Sequence, residues 1–584
     1  MATRFTEFEV TYELVDVDAA DDASYTATNI KSFSNLNLIK NANSFSDAIT
    51  LEHNYSILDG TLAEFPNSPT NIPYFSNTAS KIDGTWDNAK VPTLDINFSD
   101  VHSSYALTLK LINQEVKTVR VTWYNDEVIL VTGEYMLDSE GIIHQDVEDY
   151  NRITIEFIQT VPNRYVKLYG VYYGIVLEWN ETVIKHATMT KEINIISEKL
   201  PADILTFELV DVAFGDLNLG NASGIHRFFQ RNQPMYAYEW LNDTRLPIGK
   251  FFLKTYEHAS NVGTLNCVSY IDIMDSIAFN TGGLYNGTPA GTILKEIFAT
   301  AGITSYQIDS ETYNQKLYGT LKPQSCREAL REVLFACQSV IDTSNPVTVY
   351  VRKTSTTILD TIGRDIKFST SVKQKEYVSG VHVEYPIFKK VSEPTPISDE
   401  ALYEKGYHII LFDGPYENIT FSSKAYISVI ETGTYFVKFY AGRDVTISLS
   451  GNGYIEIANS VERNKELDAG RFLNVKQFTS TLSNYANATA LAESLLNYYS
   501  LDKEVSIKAL ANDVDVEHKH IVENTNAAYN NYVGVYSQRN FDLTGGFIDD
   551  STLNMTFLTE ANEIYFTRED VEDIFLDEES GVII

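Results

Sequence analysis

The sequence predicts a mainly β, multidomain α+β protein, and three observations carry that expectation. At 584 residues the chain is too long for one core, and about 150 residues per domain gives roughly four units. Its aromatic residues favour strands, with 37 Tyr and 30 Phe against 4 Trp. Short runs of alternating apolar and polar residues, closed by Asn, Asp, Gly or Ser, recur along the sequence, while helical periodicity is confined to a few segments. An apolar fraction of 44% lets each unit bury a sizeable core.

Residues 1–45 hold one strand, FTEFEVTYELVDV, and an acidic linker. Asp16, Asp18, Asp21 and Asp22 lack the glycine and terminal glutamate of a calcium loop, so the linker reads as a solvated turn. In residues 46–185 the strands PTLDINF, ALTLKL, VRVTWY, ITIEF and YVKLYGVYYG predict an antiparallel β-sandwich. Residues 186–285 open with LPADILTFELVD, where Leu205, Phe207 and Leu209 alternate with Thr206, Glu208 and Val210 as in a strand with one buried face. MYAYEWL is the next strand, and RLPIGKFFLKTYE supplies a turn at Pro247 and Gly249 followed by a strand. LNCVSYIDIMDSI then runs from strand into the start of a helix.

Residues 286–377 predict a small α/β unit. Ile293, Leu294, Ile297 and Phe298 form one stripe of a helix over Pro289–Ile303. In the next helix Ser325 is placed as N-cap with Glu328 as its box partner, and Leu330, Val333, Leu334 and Cys337 share a face. The strand Pro346–Lys353 completes the unit. Residues 378–390 restart the strands, a proline-rich acidic boundary follows, and 391–480 read as an inserted all-β domain. Residues 481–557 contain a helix over Ala488–Asp502 and the strand phrases KEVSIKAL and NFDLTGGFIDDSTLNMTF. The tail, 558–584, is acidic; its Ile574, Phe575 and Leu576 suit a docking peptide whose acids steer the approach to a neighbour.

With 45 basic and 79 acidic residues the net charge is −34, which repels nucleic acid and anionic membrane surfaces, so no nucleic-acid partner and no membrane insertion are expected without a basic patch that the sequence does not show. No run of apolar residues is long enough to span a bilayer, and the start MATRFTEFEVTYEL has no secretory h-region. Cys267, Cys326 and Cys337 have no metal-ligand spacing and read as reduced, buried thiols. Synthesis in a reducing cytoplasm and release by lysis are expected.

Catalytic signatures are missing. Gly215 to Gly220 has the spacing of a phosphate loop, but Asn221 stands where the lysine must be. There is no G-x-S-x-G elbow, and the 10 histidines are scattered. His518 and His520 in EHKHIVE have the spacing of one strand face but no third ligand beyond nearby acids, so a solvent-exposed face is expected and no metal or cofactor is assigned. Among 79 acids, carboxylate pairs at a glycosidase spacing carry no specificity.

The order LPADILTFELVD, MYAYEWL, RLPIGKFFLKTYE, then the SCREAL helix, then LLNYY and LTGGF resembles bacteriophage tail and baseplate proteins of the hub or tail-tip type from Gram-positive hosts. The resemblance implies that 186–285 is the first part of a hub-like β-barrel, 378–390 a return strand and 481–557 its closing strands. It also implies that 46–185 is a jelly roll of the galactose-binding kind. In that jelly roll sugar sites lie in loops at one end, which makes Trp86, Tyr74 and Tyr124 the aromatic candidates and Asp83, Asp87 and Asp126 the hydroxyl acceptors. The competing reading, and the favoured one, is that Trp86 and Tyr124 are core or neighbour-facing and the module only docks. The function implied is a non-enzymatic structural part of a phage tail, or of a phage-tail-like bacteriocin, with tube, hub, wedge or fibre components as partners. A homotrimer is the first expectation and a hexamer the second. The alternatives are a carbohydrate-binding adhesin for a cell-surface glycan and a tail-borne polysaccharide hydrolase.

Overall fold

The computed structural model describes residues 4–41, 52, 72–112, 115–137, 141–210, 217–219, 226, 229, 231–242, 244–355, 357–467 and 470–559. The chain divides into two units, one of Val10–Trp179 with Gln233–Met235, the other of Met1–Glu9, Asn180–Asn232 and Tyr236–Ile584. The docking residues Ile574, Phe575 and Leu576 lie outside the described residues.

The smaller unit is a sandwich of antiparallel strands. One sheet runs, in spatial order, Ser24–Thr28, Thr93–Ser104, Val147–Thr160, Val116–Asn125 and Val128–Met136. The other runs Tyr74–Phe75, Lys167–Tyr172, Leu107–Leu111 and Ile142–Ile143. Alternation makes the core: Leu94 and Ile96, Val119, Val121 and Trp123, and Ile153, Ile155 and Phe157 point inward from three adjacent strands and pack with Leu107, Leu109 and Leu168. Each such side chain contributes roughly 1.5–3 kcal/mol by leaving water. The unit starts well before residue 46, because Ser24–Thr28 is an edge strand on Thr93–Ser104. The acidic stretch, expected as a solvated turn, forms a short helix over Val17–Asp22. Asp16 caps it by accepting from Ala19 N at 3.0 Å, and both Asp16 and Asp22 hold the ring of His102, at 3.3 and 3.1 Å.

The larger unit is organised by one long sheet, whose spatial order is Pro234–Leu241, Thr244–Ala259, Val262–Ser269, Ile204–Val210, Ile184–Glu192, Tyr532–Asp542, Ile548–Phe557, Lys503–Leu510 and Lys367–Gln374. A branch strand, Lys519–Val522, pairs with Tyr532–Asp542 and with Ile358–Ile362. The alternation in Ile204–Val210 is the one the sequence predicts, with Leu205, Phe207 and Leu209 buried. Pro247 and Gly249 do not reverse the chain: the strand runs through both from Thr244 to Ala259. Gly249, at φ +152, adopts a backbone that side chains resist, so the pair bends an extended strand in place of turning it.

The two helices expected between 286 and 377 are present as Ala290–Ala301 and Cys326–Cys337, although Glu328 bonds Arg331 and does not reach back to the Ser325 backbone as a box partner would. The helix Ala290–Ala301 buries Ile293, Leu294, Ile297 and Phe298 and stops at Gly302, whose left-handed backbone (φ +76) suits a C-terminal cap. The helix Cys326–Cys337 starts at Ser325, which accepts from Glu328 N at 3.2 Å, while the Glu328 carboxylate accepts from Arg331 Nε at 2.7 Å. All three cysteines are buried and none is in a disulfide. The strand Gly380–Lys390 joins Val445–Asn464 and Val475–Thr479 in a separate sheet, not the long one, because its longest complementary partner is the 20-residue strand Val445–Asn464. That sheet and the three strands Gly406–Leu411, Phe436–Ala441 and Ile427–Thr432 enclose a small core around Phe439, Val437, Ile447 and Leu449. The helix Tyr485–Tyr498, capped by Asn484, leads back to the long sheet.

Candidate functional site

The loop that the sequence offers for sugar contact sits at one end of the smaller unit. Trp86 keeps only 7% of its surface, packs into the sandwich core, and donates from Nε1 to Thr78 O at 3.2 Å. Tyr74 lies wholly inside, stacked on Phe157 with ring centroids 5.7 Å apart. Neither ring offers a free face for a sugar, and both serve the core. Tyr124 is half-buried, with the Arg152 guanidinium 3.9 Å above its ring. Asp83 accepts from Thr85 N at 2.9 Å and from Thr85 Oγ1 at 2.7 Å, and these bonds hold its carboxyl below the usual range. Asp87 pairs with Lys81 at 2.5 Å, and Asp126 accepts from Asn151 Nδ2 at 2.8 Å. The carboxylates of Asp83, Asp87 and Asp126 are thus each engaged by neighbours within the unit.

A second gathering of chemistry lies in the larger unit, where the segment Ala511–His518 joins the strands Lys503–Leu510 and Lys519–Val522. Asp513, Asp515 and Glu517 alternate there, and the segment turns on itself, with Asp513 accepting from Asp515 N at 2.9 Å. The buried Arg539 guanidinium anchors the segment, donating to Asp513 Oδ1 at 2.8 Å, to Asp515 O at 2.7 Å and to Asp549 Oδ2 at 2.8 Å. Burial alone would lower the Arg539 pKa, but Tyr536, Asp549 and Asp513 carry it up; the same ion pair outweighs burial at Asp513 and holds that carboxyl low. Asp515 accepts from the backbone N of His518 at 3.1 Å and lies 2.8 Å from its Nδ1. Arg352 binds Glu517 through Oε1. Glu517 Oε2 and His520 Nε2 are both buried with no hydrogen-bond partner. Burial raises the Glu517 pKa against the pull of Arg352, and burial lowers that of His520 against the pull of Asp513.

His520 is 2% exposed, so it does not lie on the solvent-facing strand surface that the sequence suggests. The sequence signal for the rest was the alternation in ANDVDVEHKH; Arg539 and Asp549 come from strands distant in sequence and carried no local signal.

A cleft of about 500 Å³, also in the larger unit, is lined by residues such as Ile195, Leu491, Leu495, Tyr498 and Val535. Among the described residues, no carboxylate, histidine or cysteine lines it. Among the described residues no helix is long and apolar enough to cross a membrane.

No protein-family model matches the sequence, and no curated protein matches it. Several solved structures are similar at low identity. The tail protein from Neisseria meningitidis MC58 is 10% identical, with a TM-score of 0.39 over 65% of this chain and 93% of that one. The prophage tail protein gp18 from Listeria monocytogenes EGD-e is 7% identical, with a TM-score of 0.37 over 68% of this chain and 96% of that one. The family 32 carbohydrate-binding module of C. perfringens NanJ, solved with galactose, is 9% identical, with a TM-score of 0.18 over 29% of this chain and 99% of that one.

Proposed function

We propose that this chain is a structural, non-enzymatic component of a phage or phage-like tail, placed at the baseplate or tail tip and built to associate around a rotational axis. One observation carries the reading. Ile184–Glu192 and Tyr532–Asp542 are adjacent strands, with Thr188 opposite Asp542, so strands about 350 residues apart in sequence close one sheet, and the stretches 270–357 and 375–502 leave it and return. The α/β unit and the all-β domain are excursions from that sheet, in the order the sequence resemblance to tail hubs implies. A framework closed by its own distant strands leaves loops and excursions to meet neighbours.

The partners in this proposal are other tail proteins and further copies of the chain, as a trimer first and a hexamer second. The host would be Gram-positive, with release by lysis. The smaller unit docks, since the rings of Trp86 and Tyr74 are used by its own core. Light scattering on the purified full chain across a hundredfold range of concentration is expected to give three times the chain mass; a monomer at every concentration overturns the proposal. On a glycan array no signal is expected, and a signal abolished by Tyr124→Ala would move the smaller unit to the adhesin reading.

A further inference from the structure

We propose that Asp515, Glu517, His518 and His520 form a binding site for one divalent transition-metal ion, zinc by preference, that clamps the 511–518 segment onto the long sheet. Asp515, Glu517 and His518 each offer a ligand atom, and these atoms lie within 4.8 Å of one another. Proximity of acids alone would not make a site. The deciding observation is that two polar atoms of these residues are buried without a partner: His520 Nε2, which faces Asp515, and Glu517 Oε2, on side chains that are 2% and 5% exposed. A buried donor or acceptor left without a partner costs about 1–3 kcal/mol, and natural folds rarely keep one without a ligand or water to satisfy it.

The geometry suits one ion. His520 Nε2 lies 3.9 Å from Asp515 Oδ1. Two donors bound to one zinc at about 2.0–2.2 Å stand roughly 3–4 Å apart. His518 Nδ1 and Asp515 Oδ2, now 2.8 Å apart in a hydrogen bond, need open by only about an ångström, the metal taking the place of the shared proton. The surroundings have the character of an outer shell: Arg352 holds the other oxygen of Glu517, and Arg539 fixes the backbone carbonyl of Asp515. Local charge also favours a cation, since Asp513, Asp515, Glu517 and Asp549 outnumber Arg352 and Arg539. Asp515 and His518 retain 20% and 26% side-chain exposure, which leaves an entry path.

Two imidazoles with two carboxylates select a borderline metal over the hard cations calcium and magnesium, which take oxygen ligands. The site is independent of the tail assignment, and its role is structural.

The full chain, stripped with chelator and dialysed against zinc chloride, is expected to retain one zinc per chain by elemental analysis, and its first thermal transition should rise. X-ray absorption on the zinc-loaded wild type is expected to show imidazole scattering from two histidines, a readout that needs no variant. Glu517→Gln and the pair His518→Ala, His520→Ala should each lower zinc affinity at least tenfold, while the distant His186→Ala keeps full occupancy. Wild type that holds no stoichiometric zinc, zinc without imidazole ligands, displacement by equimolar calcium, or binding untouched in both variants would each overturn the proposal.

Discussion

Glu239 shows how one residue shapes the pH response of the larger unit. It occupies an inward position of Pro234–Leu241 beside Ala237, has no exposed surface, and neither carboxylate oxygen has a hydrogen-bond partner. Burial first, then Glu181, pushes its pKa from 4.5 up to about 9, with Arg4 opposing. The folded state therefore holds a proton that the unfolded chain gives up. Stability from this group is fully present below about pH 4.5 and is lost as the pH rises toward about 9. At pH 7 the cost is on the order of 3 kcal/mol, from about 1.4 kcal/mol per pH unit. Glu239→Gln keeps the shape and removes the titration, so its unfolding midpoint should exceed wild type at pH 7 and the difference should widen at pH 8.5. Equal midpoints at both values would refute a proton on Glu239. Nothing in MYAYEWL marks this glutamate as buried beyond its place in the alternation, and that place was legible; its missing partners depend on the fold around it.

Single elements can be tested by their ends and their close contacts. Ser325 accepts from Glu328 N at the start of Cys326–Cys337, so Ser325→Ala should cost about 1 kcal/mol in a denaturant melt. At Gly534 a Cβ would lie 2.0 Å from Asn554 O and 2.7 Å from Met555 Cα on the paired strand. Both are backbone atoms that cannot swing aside. Gly534→Ala should therefore force the two strands apart and cost at least about 3 kcal/mol, read as a lower thermal midpoint or loss of soluble protein.

Elements with strong internal periodicity were visible in the sequence, as Ile204–Val210, Ala290–Ala301 and Cys326–Cys337 illustrate. Pro247 and Gly249 misled because the residues that make turns also make bends inside long strands. The partner of Gly380–Lys390 was illegible for a different reason: pairing is decided by a strand some 60 residues or more further on, and local composition does not name it. Of the proposed cation cluster, the sequence showed only His518 and His520 beside nearby acids and favoured an exposed strand face; Arg539 and Arg352 reach the segment from other strands and left no local signal.

At the scale of the whole molecule, charge and connectivity point the same way. A net charge of −34 makes like-charged copies repel one another, so any self-association is sensitive to salt. Raising the ionic strength from about 0.05 to 0.5 M should strengthen the proposed trimer by screening like charge. A sedimentation series would check this, and weaker association at high salt would mean that attractive ion pairs hold the copies together. In the proposed function the excursions from the long sheet meet neighbours, and an assembly role requires that such neighbours exist. Quantitative mass spectrometry of purified tailed particles from the source strain tests that claim most directly. The expected result is this chain at three or six copies per tail; tailed particles that lack it altogether would contradict the claim.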